Sequence, residues 1–328
     1  MRHSKWLHMP GVPDDVGSIV TVGTFDGIHL GHWTILQEIS ERARVTERRS
    51  VLVTFEPHPL KVLRPELATQ SLTTPVEKKE ILAESGLNYA VFIAFNKVLS
   101  KYQPRQFVKE ILVERLHVQE LVIGHDHGFG RDRSGNVDTL RELGEELGFQ
   151  VDVVEPVEVG GAVVSSTRIR NAVNAGCMDE VELCLGRLYS ISGTVVYGEQ
   201  RGRNLGYPTA NLSLSDEDKL MPRPGIYAVQ CRVDGERYSG ALHLGPRPTF
   251  KGLSSSIEVH LLDFDRDIYG SEVAVEFVKF LREIVPFDSP QQLIAQMGKD
   301  AEAARRTVDE RARSLYLSHS KIKLPLKR

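Results

Sequence analysis

Residues 18–32 have the sequence SIVTVGTFDGIHLGH, in which a β-rich run passes through a glycine-containing turn into a helical stretch. Short β-rich runs continue to alternate with amphipathic helical stretches as far as about residue 186. This alternation predicts βαβ units and therefore an α/β domain with a doubly wound parallel sheet. In chain order, the runs and stretches are SIVTVGTF, residues 33–48, VLVTF, a helix from Pro75, AVFIAF, a helix from Pro104, ELVIG, residues 138–147 and VDVVE.

The pattern changes after Leu188, where β-rich runs follow one another with turn residues between them and without helices. The runs are YSISGTVVYG, GIYAVQCRV, RYSGALHLG, SIEVHLLDF and EVAVEFVKF. Consecutive strands of this kind predict a compact antiparallel β-barrel, after which the sequence SPQQ begins a long C-terminal helix. Two short helical stretches, 167–175 and 179–185, close the first half, so we predict domains at residues 1–186 and 187–328.

Composition limits the classes of protein to which the chain can belong. Its 328 residues fit two domains of ordinary size. With 41 basic and 44 acidic residues the formal net charge is -3, too small a field to draw the chain onto nucleic acid or an anionic membrane. No apolar run approaches the length of a membrane span, and the start MRHSKWLHMPGVPDD lacks the apolar region of a signal peptide. The 3 cysteines contain no CxxC pair, which argues against disulfides or zinc and favours the cytoplasm. We therefore expect a cytoplasmic protein without nucleic-acid or membrane partners, and the sequence leaves its oligomeric state open.

The segment GTFDGIHLGH (residues 23–32) joins the first predicted strand to the first helix, where α/β folds bind phosphates. Its three glycines, at positions 23, 27 and 31, allow backbone and phosphate to approach closely. His29 and His32 are three residues apart, so both imidazoles lie on one face of the first turn. Two such donors suit a displacement at phosphorus, and the segment predicts nucleotidyl transfer. The alternative is that the histidines cap the helix and the glycines only form a turn.

A second glycine-rich segment ends in the string PTAN at residues 208–211. The Thr209 hydroxyl and the Asn211 carboxamide are hard oxygen ligands, well suited to Mg²⁺ beside phosphates. The segment is not a Walker motif, so it does not indicate a P-loop kinase. Taken by itself, PTAN is also compatible with a plain turn.

The first half resembles a known family in several places. GTFDGIHLGH is similar to the GxFDGxHxGH signature of nucleotidyltransferases. TFEPHP (residues 54–59) resembles a TFxPHP loop, GHDHGFG (124–130) a G-x-[DN]-F-x-F-G segment, and SSTRIR (165–170) an SSTxIR motif. Together these segments resemble the FMN adenylyltransferase module of prokaryotic bifunctional FAD synthetases.

That resemblance implies roles for individual residues. His29, His32 and Arg170 would be catalytic, and an arginine at a helix start is a good clamp for a leaving pyrophosphate. The residues implied to contact ATP are Gly23, Phe25, Asp26, Gly27, Gly31, Ser166 and Thr167, and those implied to contact the flavin are His58 and Asp126. His58 stands between two prolines and is equally compatible with a rigid loop position that has no catalytic role. His127 departs from the family pattern, which has phenylalanine there.

The second half resembles riboflavin kinases through GEQRGRNLGYPTAN (residues 198–211), similar to their GxxxGRxLGYPTAN signature. The likeness continues through PGIY (224–227), GPRPTF (245–250), IEVHLLDF (257–264), IYG (268–270), LRE (281–283) and FDS (287–289). It implies ATP contacts from Gly198, Gly202, Arg203 and Pro208, a flavin contact from Arg247, and metal ligation by Thr209 and Asn211. His243 stands where the family usually has asparagine, in a loop expected to close over the nucleotide. The two resemblances together cover about residues 18–300.

A general base is expected in the second half, because the ribityl hydroxyl of riboflavin is a neutral nucleophile that must lose its proton. Glu258 is the candidate that the resemblance implies. In SIEVHLLDF, alternation places Glu258, His260 and Leu262 on one face, and Ile257, Val259 and Leu261 on the other. If the second face is the core, Glu258 projects toward substrate. The alternative is a solvent-facing glutamate on a strand.

The resemblance therefore implies a bifunctional enzyme whose substrates are riboflavin, FMN and ATP, with Mg²⁺ as cofactor. The second half would convert riboflavin and ATP to FMN and ADP, and the first half would convert FMN and ATP to FAD and pyrophosphate. One alternative is a different adenylyltransferase whose barrel has lost kinase activity, which the presence of Thr209, Asn211 and Glu258 argues against. An aminoacyl-tRNA synthetase is a second, although no KMSKS-like string accompanies the histidines. A third is a flavin-binding regulatory protein on the same folds.

Overall fold

The chain divides into two compact units, Met1–Ser166 and Thr167–Arg328. This division lies before the domain boundary predicted at residues 186 and 187, which stays a prediction. No helix in the described ranges is long and apolar enough to cross a membrane. The computed structural model describes residues 16–125, 136–198, 206–249 and 252–321.

The first unit is built on a five-stranded parallel sheet. Its strands are β1 (Ser18–Val22), β2 (Arg49–Glu56), β3 (Tyr89–Ala94), β4 (Val118–Gly124) and β5 (Gln150–Val154), and a small separate sheet pairs β6 (Glu158–Val159) with β7 (Ala162–Val163). The order β3-β2-β1-β4-β5 confirms the predicted doubly wound sheet. Since the chain builds outward from β1 first on one side and then on the other, the topological switch point lies between β1 and β4. Ligands of such sheets bind there, outside the carboxyl ends of the strands.

Helices cover both faces of this sheet. They are α1 (Leu30–Val45), α2 (Pro59–Leu63), α3 (Pro75–Ala83), α4 (Pro104–Phe107), which continues as a π-helical segment (Val108–Val113), and α5 (Val137–Leu147), with 3₁₀ turns at Pro65–Leu67 and Leu99–Lys101. On one face Leu36 of α1 packs with Ile19 of β1, and on the other Val20 packs in a cluster with Phe107 and Ile111. Ile19 and Val20 serve opposite faces because side chains alternate along a strand. The buried sheet thereby fixes the carboxyl end of β1 and the start of the loop after it.

The second unit is a closed antiparallel barrel, as predicted. Its strands are β8 (Tyr189–Val196), β9 (Ala210–Leu214), β10 (Gly225–Val233), β11 (Glu236–Thr249), β12 (Gly252–Leu261) and β13 (Glu272–Arg282), in the order β10-β11-β12-β9-β8-β13. The helices are α6 (Ser166–Ala175), which begins at the last residue of the first unit, α7 (Met178–Leu185) and the long C-terminal α8 (Pro290–Lys321). Ala304 and Val308 of α8 pack with Leu188, Ala228 and Val278, so the helix covers part of the barrel wall.

Three element bounds differ from those predicted. Helix α1 begins at Leu30 rather than at Trp33, since the residue before Leu30 is its N-cap. The PTAN string was expected in a loop, yet its last two residues begin β9, because the barrel closes only when a strand joins β12 to β8. Strand β11 runs to Thr249 and β12 starts at Gly252, so most of GPRPTF lies in a strand rather than in a loop.

Candidate active sites

The loop that follows β1 has an unusual backbone. Phe25, Gly27 and Ile28 adopt left-handed φ angles of 47°, 81° and 39°. Such angles cost a side-chain-bearing residue about 1–3 kcal/mol, so they persist only where the surroundings enforce them. Phe25 and Ile28 are buried, which supplies that constraint. At Gly23 a Cβ would lie 2.9 Å from the Phe25 ring, so this position has no room for a side chain.

Asp26 ties the loop to the segment before α3. Its carboxylate accepts the backbone N–H of Leu72 at 3.0 Å and that of Thr73 at 3.2 Å, and the Gly27 N–H donates to the Thr73 hydroxyl at 3.2 Å. The Asp26 side chain is only 3% exposed. Its place among the ATP-binding residues stays a prediction, and these contacts give it a role in the shape of the loop.

The two histidines lie together, as the spacing predicted. Their rings stack with centroids 3.7 Å apart at 16°, and the Phe25 ring stacks on His32 at 4.5 Å. His29 is also the N-cap of α1, since its Nδ1 accepts the His32 backbone N–H at 3.3 Å. A Cβ at Gly31 would lie 3.2 Å from the His29 ring, so glycine leaves room for the stack. The capping alternative is thus correct as geometry, and it is compatible with a phosphate-facing pair.

The start of α6 reaches the same loop. The Ser166 hydroxyl donates to the Asp26 backbone oxygen at 2.9 Å. Thr167 and Arg170 follow within the first five residues of that helix, and Arg168 is ion-paired with Glu180 at 2.7 Å. The SSTRIR motif therefore brings its second serine to the glycine loop, while the phosphate-binding roles of Thr167 and Arg170 stay predictions.

The predicted flavin-binding residues of the first half receive less support. His58 is the N-cap of α2, and its Nδ1 accepts the Leu60 backbone N–H at 3.2 Å. This contact stabilises the start of α2, and the proposed contact of His58 with the flavin stays a prediction. Asp126 and His127 lie outside the described residues.

In the barrel, three predicted residues meet at one place. Glu258 of β12 lies directly opposite Asn211 of β9 in the strand register. The Thr209 hydroxyl donates to Glu258 Oε2 at 3.5 Å. A Cβ at Gly198 would lie 2.3 Å from the Asn211 Nδ2, so glycine there leaves space for the carboxamide. The Pro208 backbone oxygen lies 2.9 Å from His260 Nδ1, which anchors the residue before Thr209 to β12.

Burial along β12 supports the orientation predicted for Glu258. Ile257, Val259 and Leu261 are buried at 3%, 1% and 6% exposure, so their face is the core. Glu258 and His260 are half-buried on the other face. The expectation that Leu262 shares the Glu258 face is wrong. Leu262 is buried because β12 ends at Leu261 and the alternation ends with it.

Three other residues of the barrel were predicted to contact ATP or the flavin, namely Gly202, Arg203 and Arg247. Gly202 and Arg203 lie outside the described residues. Arg247 lies in β11 opposite Ser254 of β12, and its flavin role stays a prediction.

His243 is the cross-strand neighbour of Glu258 on β11. Burial lowers the pKa of the His243 imidazole, the Glu258 carboxylate raises it, and Arg282 lowers it. A Cβ at Gly245 would lie 2.6 Å from the His243 ring, so the imidazole packs closely over the strand. The departure from asparagine thus places a titratable ring beside the predicted base.

Sequence reasoning missed one charged residue at the first site. Lys78 of α3 is 6% exposed, and its Nζ donates to the Thr24 backbone oxygen at 2.9 Å. Burial lowers the pKa of Lys78, and Asp26 and Glu56 raise it. Only the helical spacing of Lys78 from the Thr74 cap could have indicated it, because no motif includes this lysine.

The barrel oxygens fit a magnesium ion. Carboxylate, hydroxyl and carboxamide are hard donors, and Mg²⁺ commonly takes one or two protein oxygens together with substrate phosphates. Within the described ranges, no group of three or more His, Cys, Asp or Glu side chains could hold a metal. The donor set therefore fits a metal that arrives with a nucleotide better than one held in an all-protein cage.

Family models match both halves of the chain. A model described as FAD synthetase matches residues 12–168, and one described as riboflavin kinase matches residues 185–308. A crystal structure of a Streptococcus pneumoniae protein named macrolide-efflux protein has a TM-score of 0.81 and 32% identity, covering 89% of this chain and 96% of that one. Its name concerns that protein, and the likeness shows the same fold along most of the chain.

Curated relatives named bifunctional riboflavin kinase/FMN adenylyltransferase cover nearly the whole chain. The Listeria monocytogenes protein is 36% identical over 92% of this chain and 96% of its own length. The Pseudomonas fluorescens protein is 39% identical over 89% and 94%, and that of Escherichia coli K12 is 34% identical over 93% and 97%. The chain therefore belongs to the bifunctional riboflavin kinase/FMN adenylyltransferase family, and it phosphorylates riboflavin to FMN and transfers an adenylyl group from ATP to FMN to form FAD.

Proposed function

We propose that adenylyl transfer takes place at the loop between β1 and α1. A phosphate oxygen of FMN forms a bond to the α-phosphorus of ATP, and the bond to the β-phosphate oxygen breaks to release pyrophosphate. His29 and His32 donate to the non-bridging oxygens, where charge increases in the transition state. Ser166, Thr167 and Arg170 hold the phosphates that leave. The stacked histidines beside the switch point of the sheet support this placement.

No protein base is required for that step. The phosphate monoester of FMN has a second pKa near 6, so it is largely ionised at neutral pH and already nucleophilic. The Asp26 carboxylate, bound to the N–H groups of residues 72 and 73, acts on the loop rather than on a proton.

We propose that riboflavin is phosphorylated in the barrel, where Asn211 of β9 and Glu258 of β12 lie opposite each other. The ribityl hydroxyl oxygen forms a bond to the γ-phosphorus of ATP, its proton passes to Glu258, and ADP leaves. Thr209 and Asn211 would hold Mg²⁺, which neutralises charge on the phosphates when it is bound. The observation that carries this proposal is the register that sets Glu258 opposite Asn211, with Thr209 at 3.5 Å.

Partners and location follow from the same chemistry. We propose small-molecule substrates only, in the cytoplasm, where ATP is abundant. A formal net charge of -3 supports the lack of a nucleic-acid or membrane role. Three widely spaced cysteines without a CxxC pair are also compatible with a reducing compartment.

A chromatographic time course with riboflavin, ATP and Mg²⁺ tests the combined proposal. We expect FMN to appear first and FAD to follow as FMN is consumed. Omission of Mg²⁺ is expected to stop both reactions. FAD formation without an FMN intermediate, or equal rates without a divalent ion, would contradict the proposal.

A further inference from the structure

Lys78 is a buried lysine that contacts the backbone of the glycine loop. It lies one turn into α3 and is only 6% exposed. Its ammonium donates to the Thr24 backbone oxygen at 2.9 Å, and the Thr54 hydroxyl donates to the same oxygen at 3.1 Å. Thr24 belongs to the loop whose left-handed residues 25, 27 and 28 shape the site. Lys78 therefore holds the backbone of the loop at Thr24.

A buried ammonium is costly unless its charge is compensated. Burial lowers the pKa of Lys78, and the nearby carboxylates of Asp26 and Glu56 oppose that shift. Asp26 also accepts the N–H groups of residues 72 and 73. An ammonium has three donors. Among the described residues, Thr24 accepts one of them. The charge of Lys78 therefore depends on anions close to it, in surroundings where charge acts more strongly than in water.

We infer that Lys78 is a positioning residue for adenylyl transfer, which holds Thr24 of the loop and supplies positive charge toward the triphosphate of ATP. The inference rests on the proposed placement of that reaction at the loop. The competing explanation is that Lys78 serves only as a counter-ion for Asp26 within the fold. Measurements of pyrophosphate and FMN binding distinguish these two explanations. If Lys78 were only a structural counter-ion, its loss would not weaken pyrophosphate binding more than FMN binding.

The test compares Lys78→Met, Lys78→Arg and the matched control Lys79→Met in the full chain. Lys79 is the exposed neighbour of Lys78 on the same helix. Calorimetry gives the dissociation constants for inorganic pyrophosphate and for FMN, and kinetics give the KM for ATP in FAD formation. Riboflavin kinase activity of each sample reports whether the barrel is intact.

For Lys78→Met we expect pyrophosphate affinity to fall and the KM for ATP to rise by about tenfold or more, as for the loss of a charged hydrogen-bonding group, with FMN affinity unchanged. Lys78→Arg keeps the charge and is expected to lose less, and Lys79→Met is expected to behave as wild type. Unchanged pyrophosphate affinity in Lys78→Met, or an equal loss of FMN and pyrophosphate binding, would overturn the inference about Lys78 but not the proposed site. Wild-type protein that binds no pyrophosphate would overturn the proposed site as well.

Discussion

Position 198 shows how little space surrounds the Asn211 carboxamide. A Cβ there would lie 2.3 Å from Nδ2 and 2.7 Å from Oδ1 of Asn211. We predict that Gly198→Ala displaces the carboxamide and lowers the kinase rate by about 100-fold, the cost typical of a 1 Å misplacement in an active site. Steady-state FMN formation measures the loss. FAD formation from supplied FMN is the internal control, and a kinase rate equal to wild type would show that Asn211 is not needed where the structure places it.

His243 makes the free energy of unfolding of the barrel depend on pH. Burial lowers the pKa of the folded-state imidazole below its ordinary value of 6.5. The unfolded state therefore binds this proton at a higher pH than the folded state, and the free energy of unfolding decreases as the pH falls below about 6.5. We predict that His243→Asn loses less stability on acidification than wild type. Urea unfolding of the barrel at neutral and mildly acidic pH measures this, and parallel pH dependences would refute it.

At this scale the sequence identified side chains by their motifs but not by their surroundings. The spacing of His29 and His32 was enough to predict that their rings lie on one face, because three residues is close to one helical turn. Lys78 was missed because its burial comes from the way α3 packs beside the loop, and no local pattern records that. Leu262 was placed on the wrong face because alternation holds only within a strand.

At the scale of elements, α3 depends on its capping box. The Thr74 hydroxyl accepts the Glu77 N–H at 3.2 Å, and the Glu77 carboxylate accepts the Thr74 N–H at 2.9 Å. We predict that Thr74→Ala destabilises the helix by about 1 kcal/mol. Thr74→Ser keeps a capping hydroxyl and is expected to retain most of the stability. Hydrogen exchange at the amides of residues 76–83 measures the change in local opening. Equal protection in the two variants would show that the cap does not determine the stability of this helix.

Elements with a clear period were predicted well, and those defined by their neighbours were not. The five parallel strands and the capping box of α3 follow from local patterns. Strand β9 has only five residues and follows a glycine-rich segment, so its identity depends on pairing with β8 and β12. The small β6–β7 hairpin is similarly short and has no alternating apolar pattern.

At the scale of the whole molecule, each unit has its own core and its own chemistry. The nucleophile of the first step is a neutral hydroxyl that needs a base, the role proposed for Glu258, whereas the product FMN carries an ionised phosphate that needs only electrostatic stabilisation. The alternation of strands and helices was enough to predict both architectures, because a period of two or 3.6 residues is a local property. The domain boundary at residues 186 and 187 stays a prediction, since α6 and α7 carry no signal for the unit to which they belong.

Each reaction should depend on its own group of side chains, and a crossed pair of variants measures this directly. Glu258→Gln and His29→Ala are each incubated with riboflavin and ATP, and separately with FMN and ATP, and the flavins are resolved by chromatography. We predict that Glu258→Gln loses FMN formation by at least about 100-fold, the range of general-base catalysis, yet still converts FMN to FAD. His29→Ala is predicted to accumulate FMN without FAD. Near wild-type kinase activity in Glu258→Gln, or loss of both reactions in either variant, would contradict the assignment of one site to each reaction.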